Sequence, residues 1–91
     1  MTTSTEGAAT LQRDLLAFVN GQLSLDSSVP ILGDTDLLLT GLIDSMGAFE
    51  IVAWIRHTTG VDIDPIHIVI ENFRTVERIV ALVDRLRSEP H

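Results

Sequence analysis

"SMGAFEIVAWIRHTTG", Ser45 to Gly60, is the stretch that decides the fold. Its spacing predicts a helix over Ser45–Thr59, with no proline to interrupt it. Gly60 is well placed as the left-handed residue that follows a helix end. Ser45 is expected to cap the start, because a serine oxygen there can accept one of the orphan backbone N–H groups. Phe49, Val52, Ile55 or Arg56, and Thr59 share one face, with Ile51 and Trp54 flanking it. The helix holds more apolar residues than one core-facing stripe needs.

Upstream, "LDSSVPILGDTDLLLTGLI" (Leu25 to Ile43) contains Pro30, Gly33 and Gly41, which predict a long connection. Its many leucines and isoleucines predict that it lies packed over a core, as functional long loops often do. Before it, Leu11, Leu15, Phe18 and Val19 fall at helical spacing, predicting a first helix from Thr10 to Ser24 with Thr10 as its cap. Residues 1–9 are small and polar and are expected to be a disordered tail.

Downstream, Thr75 should cap a last helix whose stripe is Val76, Ile79, Val80, Val83 and Leu86, ending before Pro90. "VDIDPIHIVIENF" reads two ways. Its β-branched residues suggest a strand, but Asp64-Pro65 is a helix-start signal and no second strand is available to pair with it. One short helical turn or an irregular packed segment is expected there. The fold class is therefore all-α: a four-helix-type bundle with three main helices, a short third one, and a long loop between helices 1 and 2. The domain spans 10–87, and 88–91 form a short tail.

The chain has 91 residues, enough for one domain. It has 45% hydrophobic residues, so it can build a core, though a largely aliphatic one, because its only aromatics are Phe18, Phe49, Phe73 and Trp54. There is no cysteine, which excludes disulfides and thiolate metal sites. Thirteen acidic residues against six basic ones, all arginine, give a net charge of −7. Such a surface repels phosphate backbones, so nucleic-acid binding is not expected. No stretch approaches a membrane span, and the N-terminus lacks a signal-peptide pattern. A monomer in the cytoplasm, off the membrane, is the expectation.

Little catalytic chemistry is visible. Ser45 lacks the G-x-S-x-G elbow, since Ile43 takes the first glycine position. His57 falls about three helical turns away, too far to be its base. Read from Asp34, a calcium loop fails, because Leu38, Leu39 and Ser45 occupy positions that need an oxygen ligand, glycine and glutamate. His57, His67 and His91 show no ligand spacing, so no metal is expected. What remains is Ser45 itself, presented after the Gly41 turn and Asp44, at the positive end of a helix that suits an attached phosphate.

These residues resemble a known family. "GLIDSMGAFEIVAWIRHTTGVDI" followed by "ENFRTVERIVALV" is similar to acyl carrier proteins and the related peptidyl carrier proteins. Their motif is a glycine, one or two apolar residues, then Asp-Ser-Leu at the start of the second helix; here it is Gly41, Leu42, Ile43, Asp44, Ser45 and Met46. The downstream wording looks most like stand-alone carriers of polyketide and nonribosomal peptide pathways. The resemblance implies that Ser45 receives 4′-phosphopantetheine from coenzyme A, through a separate phosphopantetheinyl transferase with magnesium, with Asp44 as its motif neighbour. The chain would then be a carrier rather than an enzyme. It would hold an acyl or aminoacyl thioester supplied by an acyltransferase or adenylating ligase and pass it to a downstream synthase.

The resemblance also implies that partners grip the second helix and the loop before it: Leu42, Ile43, Met46, Gly47, Glu50, Ala53, Trp54 and Arg56. Here the chain departs from the family. Gly47, Arg56 and His57 stand where acidic residues are frequent, so a dedicated partner with a more apolar contact is the alternative to acidic recognition, with Trp54 an anchor if it is exposed and a half-buried packing aromatic otherwise. Two rivals are a non-covalent helical interaction module, with Ser45 only a helix cap, and a small acidic metal sensor.

Overall fold

The computed structural model describes residues 3–88. All its regular elements are helical, and the described residues contain no strand. Helix α1 is Thr3–Phe18, and α2 is Ser45–Thr59. A 3-10 turn, Pro65–His67, leads into α3, Ile70–Phe73, and α4 is Val76–Ser88. The expected four-helix arrangement, with its short third member, is the observed one.

Helix α1 begins earlier than Thr10. Glu6, Ala8 and Ala9 are good helix formers and extend it upstream, so Thr10 lies inside the helix rather than capping it. The helix therefore covers most of the segment expected to be a tail; residues 1 and 2 lie outside the described residues, as do 89–91 of the expected 88–91 tail, whose first residue, Ser88, closes α4. Leu11, Leu15 and Val19 are buried, as their spacing requires, while Phe18 is half-buried. After Phe18 the chain widens into one π turn, Val19–Leu23, and the Ser24 N–H donates to the Val19 carbonyl at 2.8 Å.

In α2 the buried face is Gly47, Ala48, Ile51 and Ile55. It is rotated from the face that spacing predicts: Phe49 points outward, and Ile51, expected at the flank, is central. Two apolar stripes compete on this helix, and packing against the other helices decides which one turns inward. Gly60 closes α2 at φ +78°, with its N–H on the Arg56 carbonyl at 2.9 Å.

The 60–75 segment resolves as helical turns. Asp64 caps the 3-10 turn by accepting from the Ile66 N–H at 3.1 Å, and Pro65 fills its first position. Val69 is extended and precedes α3 without a side-chain cap. With no partner strand, the β-branched run settles its backbone groups locally, and the Asn72 amide donates to the His67 carbonyl at 2.9 Å. Thr75 caps α4, accepting from the Arg78 N–H at 3.1 Å. Val76, Ile79, Val80 and Val83 are buried as expected, joined by Leu82.

The long loop is a packed, hydrogen-bonded structure. Ile31, Leu37, Leu42 and Ile43 enter the core cluster with α1, α2 and α4 residues. Asn20 clamps Ile31 in both directions: its amide donates to the Ile31 carbonyl at 3.0 Å, and its oxygen accepts the Ile31 N–H at 2.8 Å. The Leu37 N–H donates to the Arg74 carbonyl at 2.8 Å, and the Glu77 N–H to the Gly33 carbonyl at 3.0 Å. Such bonds satisfy loop backbone that would otherwise be buried unpaired.

Candidate functional site

The backbone that delivers Ser45 is held from three directions. Asp36 accepts the Leu39 N–H at 2.8 Å and the Arg74 guanidinium N–H at 3.1 Å, tying the loop to the segment after α3. The Thr40 hydroxyl donates to the Asp36 carbonyl at 2.6 Å. Gly41 then turns the chain at φ +75°, a conformation that side chains rarely adopt. Finally, the Ile43 N–H donates to the Leu37 carbonyl at 3.1 Å, and Leu42 and Ile43 are buried. The residue before Asp44 is thus a core anchor, and α2 begins at a fixed point above it.

Asp44 is extended, and its carboxylate accepts the Gly47 N–H at 2.9 Å. It is the N-cap, a role expected of Ser45. Aspartate and serine both cap well, and the residue that keeps extended dihedrals just before the helix takes the position. Ser45 is the first residue inside α2 and is exposed. Its hydroxyl is thereby spared the capping bond and faces solvent at the positive end of a long helix, where an attached phosphate is favoured. An accessible hydroxyl on a held backbone fits a group such as 4′-phosphopantetheine, which attaches through a phosphodiester.

Gly47 has a packing reason. A Cβ there would lie 2.6 Å from the Ile43 Cγ2 methyl, which belongs to a buried, β-branched side chain. The first turn of α2 sits directly on Ile43, and only glycine allows that approach.

The residues implied for partner contact divide. Met46, Glu50, Ala53 and Arg56 are exposed on α2. Leu42, Ile43 and Gly47 are buried, so they shape this surface from beneath and do not touch a partner in this conformation. Trp54 is half-buried and stacks on Phe18, with ring centroids 5.3 Å apart and planes 14° from parallel, joining the end of α1 to α2. Spacing missed Phe49, which is 59% exposed one turn from Ser45. Its position beside Met46 on a helical projection was the available signal.

Other chemistry does not assemble around Ser45. His57 lies near the far end of α2, about 18 Å along its axis at 1.5 Å per residue. Among the described residues, no group of three or more histidine and carboxylate side chains draws together as a metal site would. No described helix is long and apolar enough to cross a membrane.

Comparison with known proteins agrees with the geometry. Residues 13–83 match the family described as "Phosphopantetheine attachment site". The chain is also 35% identical over 74 residues to a "Probable acyl carrier protein PigG" of Serratia sp. (strain ATCC 39006), covering 80% of this chain and 78% of that one. Members of this family are carriers rather than catalysts, hold 4′-phosphopantetheine covalently, and work with phosphopantetheinyl transferases and biosynthetic enzymes. An exposed serine at the head of the second helix, a capping aspartate before it, and these matches lead to one conclusion: the chain belongs to the phosphopantetheine attachment-site family of carrier proteins.

Proposed function

We propose that Ser45 is the attachment point of the 4′-phosphopantetheine arm and that the chain is a stand-alone acyl or aminoacyl carrier in secondary-metabolite biosynthesis. The observation that carries the first part is the division of labour at the head of α2: Asp44 caps, leaving the exposed Ser45 hydroxyl free to react. A serine present only as a cap would make the bond that Asp44 makes, so the interaction-module reading loses its account of this residue. The arm supplies a terminal thiol on which cargo is carried as a thioester, in a chain that has no cysteine. The chain's own residues present the site: Leu42 and Ile43 anchor it, Gly41 turns into it, and Met46 opens the adjoining surface.

The pathway class rests on the resemblance of "ENFRTV" to carriers of polyketide and nonribosomal peptide synthesis. In the structure this stretch forms the end of α3 and the start of α4. Its partners would be a phosphopantetheinyl transferase, an acyltransferase or adenylating ligase, and a downstream synthase, all in the cytoplasm.

Intact mass spectrometry tests the attachment. The protein is incubated with coenzyme A, magnesium and a broad-specificity phosphopantetheinyl transferase. A gain of one phosphopantetheine is expected, and none in Ser45→Ala. An equal gain in Ser45→Ala would refute the assignment. Loading of the modified protein by acyltransferases and by adenylating ligases, read by the same mass method, then assigns the cargo class.

A further inference from the structure

The turn that delivers Ser45 is closed by its own bonds and then tied to one residue far along the chain. Within it, the Thr40 hydroxyl donates to the Asp36 carbonyl at 2.6 Å, and its oxygen accepts the Leu42 N–H at 3.3 Å. From outside, Arg74 holds the turn twice. Its carbonyl accepts the Leu37 N–H at 2.8 Å, and its Nε–H donates to the Asp36 carboxylate at 3.1 Å. Asp36 and Leu37 are neighbours in the turn, yet Asp36 lies 38 positions before Arg74. Leu37 passes the hold on, since its own carbonyl accepts the Ile43 N–H at 3.1 Å. Ile43 directly precedes the Asp44 cap. Glu71, the other carboxylate near Arg74, stands 3.8 Å away and is 67% exposed, against 26% for Asp36, so Asp36 is the main partner of the guanidinium.

We infer that Arg74 is a positioning residue for the modification of Ser45: through Asp36 and Leu37 it sets the direction in which the Gly41–Asp44 backbone feeds into α2, and so where the Ser45 hydroxyl points. The inference rests on Ser45 being the modified residue. Burial of Leu37, Leu42 and Ile43 fixes how deep the turn lies, but apolar contact is non-directional. Orientation falls to directed bonds, which are the two from Arg74 and one from the Leu25 N–H to the Leu42 carbonyl at 3.0 Å. A partly exposed ion pair adds little to folding stability, so geometry accounts for this one better than stabilisation does. Group transfer is sensitive to such geometry, because reacting atoms displaced by about 1 Å lose rate steeply. Arg74 lies in "ENFRTV", and only the fold brings it to the loop before Ser45.

The test is steady-state loading of the full chain with coenzyme A, magnesium and a broad-specificity phosphopantetheinyl transferase, read by intact mass. Arg74→Ala and Asp36→Asn should each lower kcat by about three- to tenfold and leave KM within about twofold. Asparagine keeps an oxygen for the Leu39 N–H, so that variant removes the ion pair and spares the turn. Because the two changes break one contact, the double variant should be no slower than the slower single one. Circular dichroism and urea melts should show all three folded under the assay conditions. A change in kcat of less than about threefold in either single variant overturns the inference while leaving Ser45 as the site. A loss confined to KM, or one that multiplies in the double variant, overturns it too, by making Arg74 a contact for the transferase. A variant that unfolds makes the pair a stability element and also overturns it. An unaltered chain that gains no mass overturns the Ser45 assignment instead.

Discussion

Replacing Gly47 with alanine sets two opposing effects against each other, and the structure says which wins. Alanine inside a helix is favoured over glycine by about 1 kcal/mol. Against that, the new Cβ would come to 2.6 Å from the Ile43 Cγ2 methyl. Ile43 is 2% exposed, and its branch at Cβ restricts its side-chain rotation, so in the packed core it yields little without moving backbone. Overpacking of this kind costs about 1–3 kcal/mol. The net expectation is a loss of about 1 kcal/mol. Urea unfolding followed by Trp54 fluorescence and far-ultraviolet dichroism measures it.

The cause is isolated by repeating the change in an Ile43→Leu background. Leucine keeps the volume but has no branch at Cβ, and such a swap costs less than about 1.5 kcal/mol alone. Without the Cγ2 methyl, Gly47→Ala should become neutral or stabilising by up to about 1 kcal/mol. The double-mutant cycle should therefore show coupling between the two positions. Gly47→Ala stabilising the chain with Ile43 intact, or an unchanged penalty in the leucine background, would refute the contact as the reason for the glycine.

Three further outcomes are expected. Ser45→Ala should leave stability within about 0.5 kcal/mol, since it removes an exposed side chain that is not the cap, whereas Asp44→Ala should cost about 1 kcal/mol; paired urea melts separate them. Asn20→Ala breaks both bonds to Ile31 and should cost about 1–3 kcal/mol, with faster hydrogen exchange at the Ile31 amide, measured by NMR. The Ser28 hydroxyl and N–H, donating at 2.6 and 3.1 Å, hold the Asp26 carboxyl below its usual range. Because that folded-state value is lowered, its contribution is present above the ordinary carboxylate pKa and lost as pH falls through the lowered one. Ser28→Ala should raise the Asp26 midpoint in an NMR titration; an unmoved midpoint would refute this account.

Much of the site is legible in the order of the residues. The succession Gly41, Asp44, Ser45, then an apolar helix closed by Gly60, names the turn, the helix head and its end from local chemistry alone. The same holds for Thr75 at the start of α4 and for Asp64-Pro65. Capping and glycine conformations depend on neighbours within four residues, so sequence can carry them. The choice between Asp44 and Ser45 as cap is harder, because both residue types suit the position. A shift of one residue in the helix start decides it.

What only the tertiary structure decided lies across longer separations. Periodicity does not say which of α2's apolar stripes turns inward, since Phe49 and Ile51 both fit a helix face; packing buries Ile51 and leaves Phe49 outside. Leu42 and Ile43, expected at a partner surface, are core anchors beneath the serine. Gly47, costly in any helix taken alone, is explained only by the Ile43 methyl it admits. The sequence by itself determined the three main helices and the serine at the head of the second, and left the short third as a helical turn or an irregular segment. Which side chains face solvent around that serine is set by close packing, which depends on every residue meeting at that point in space.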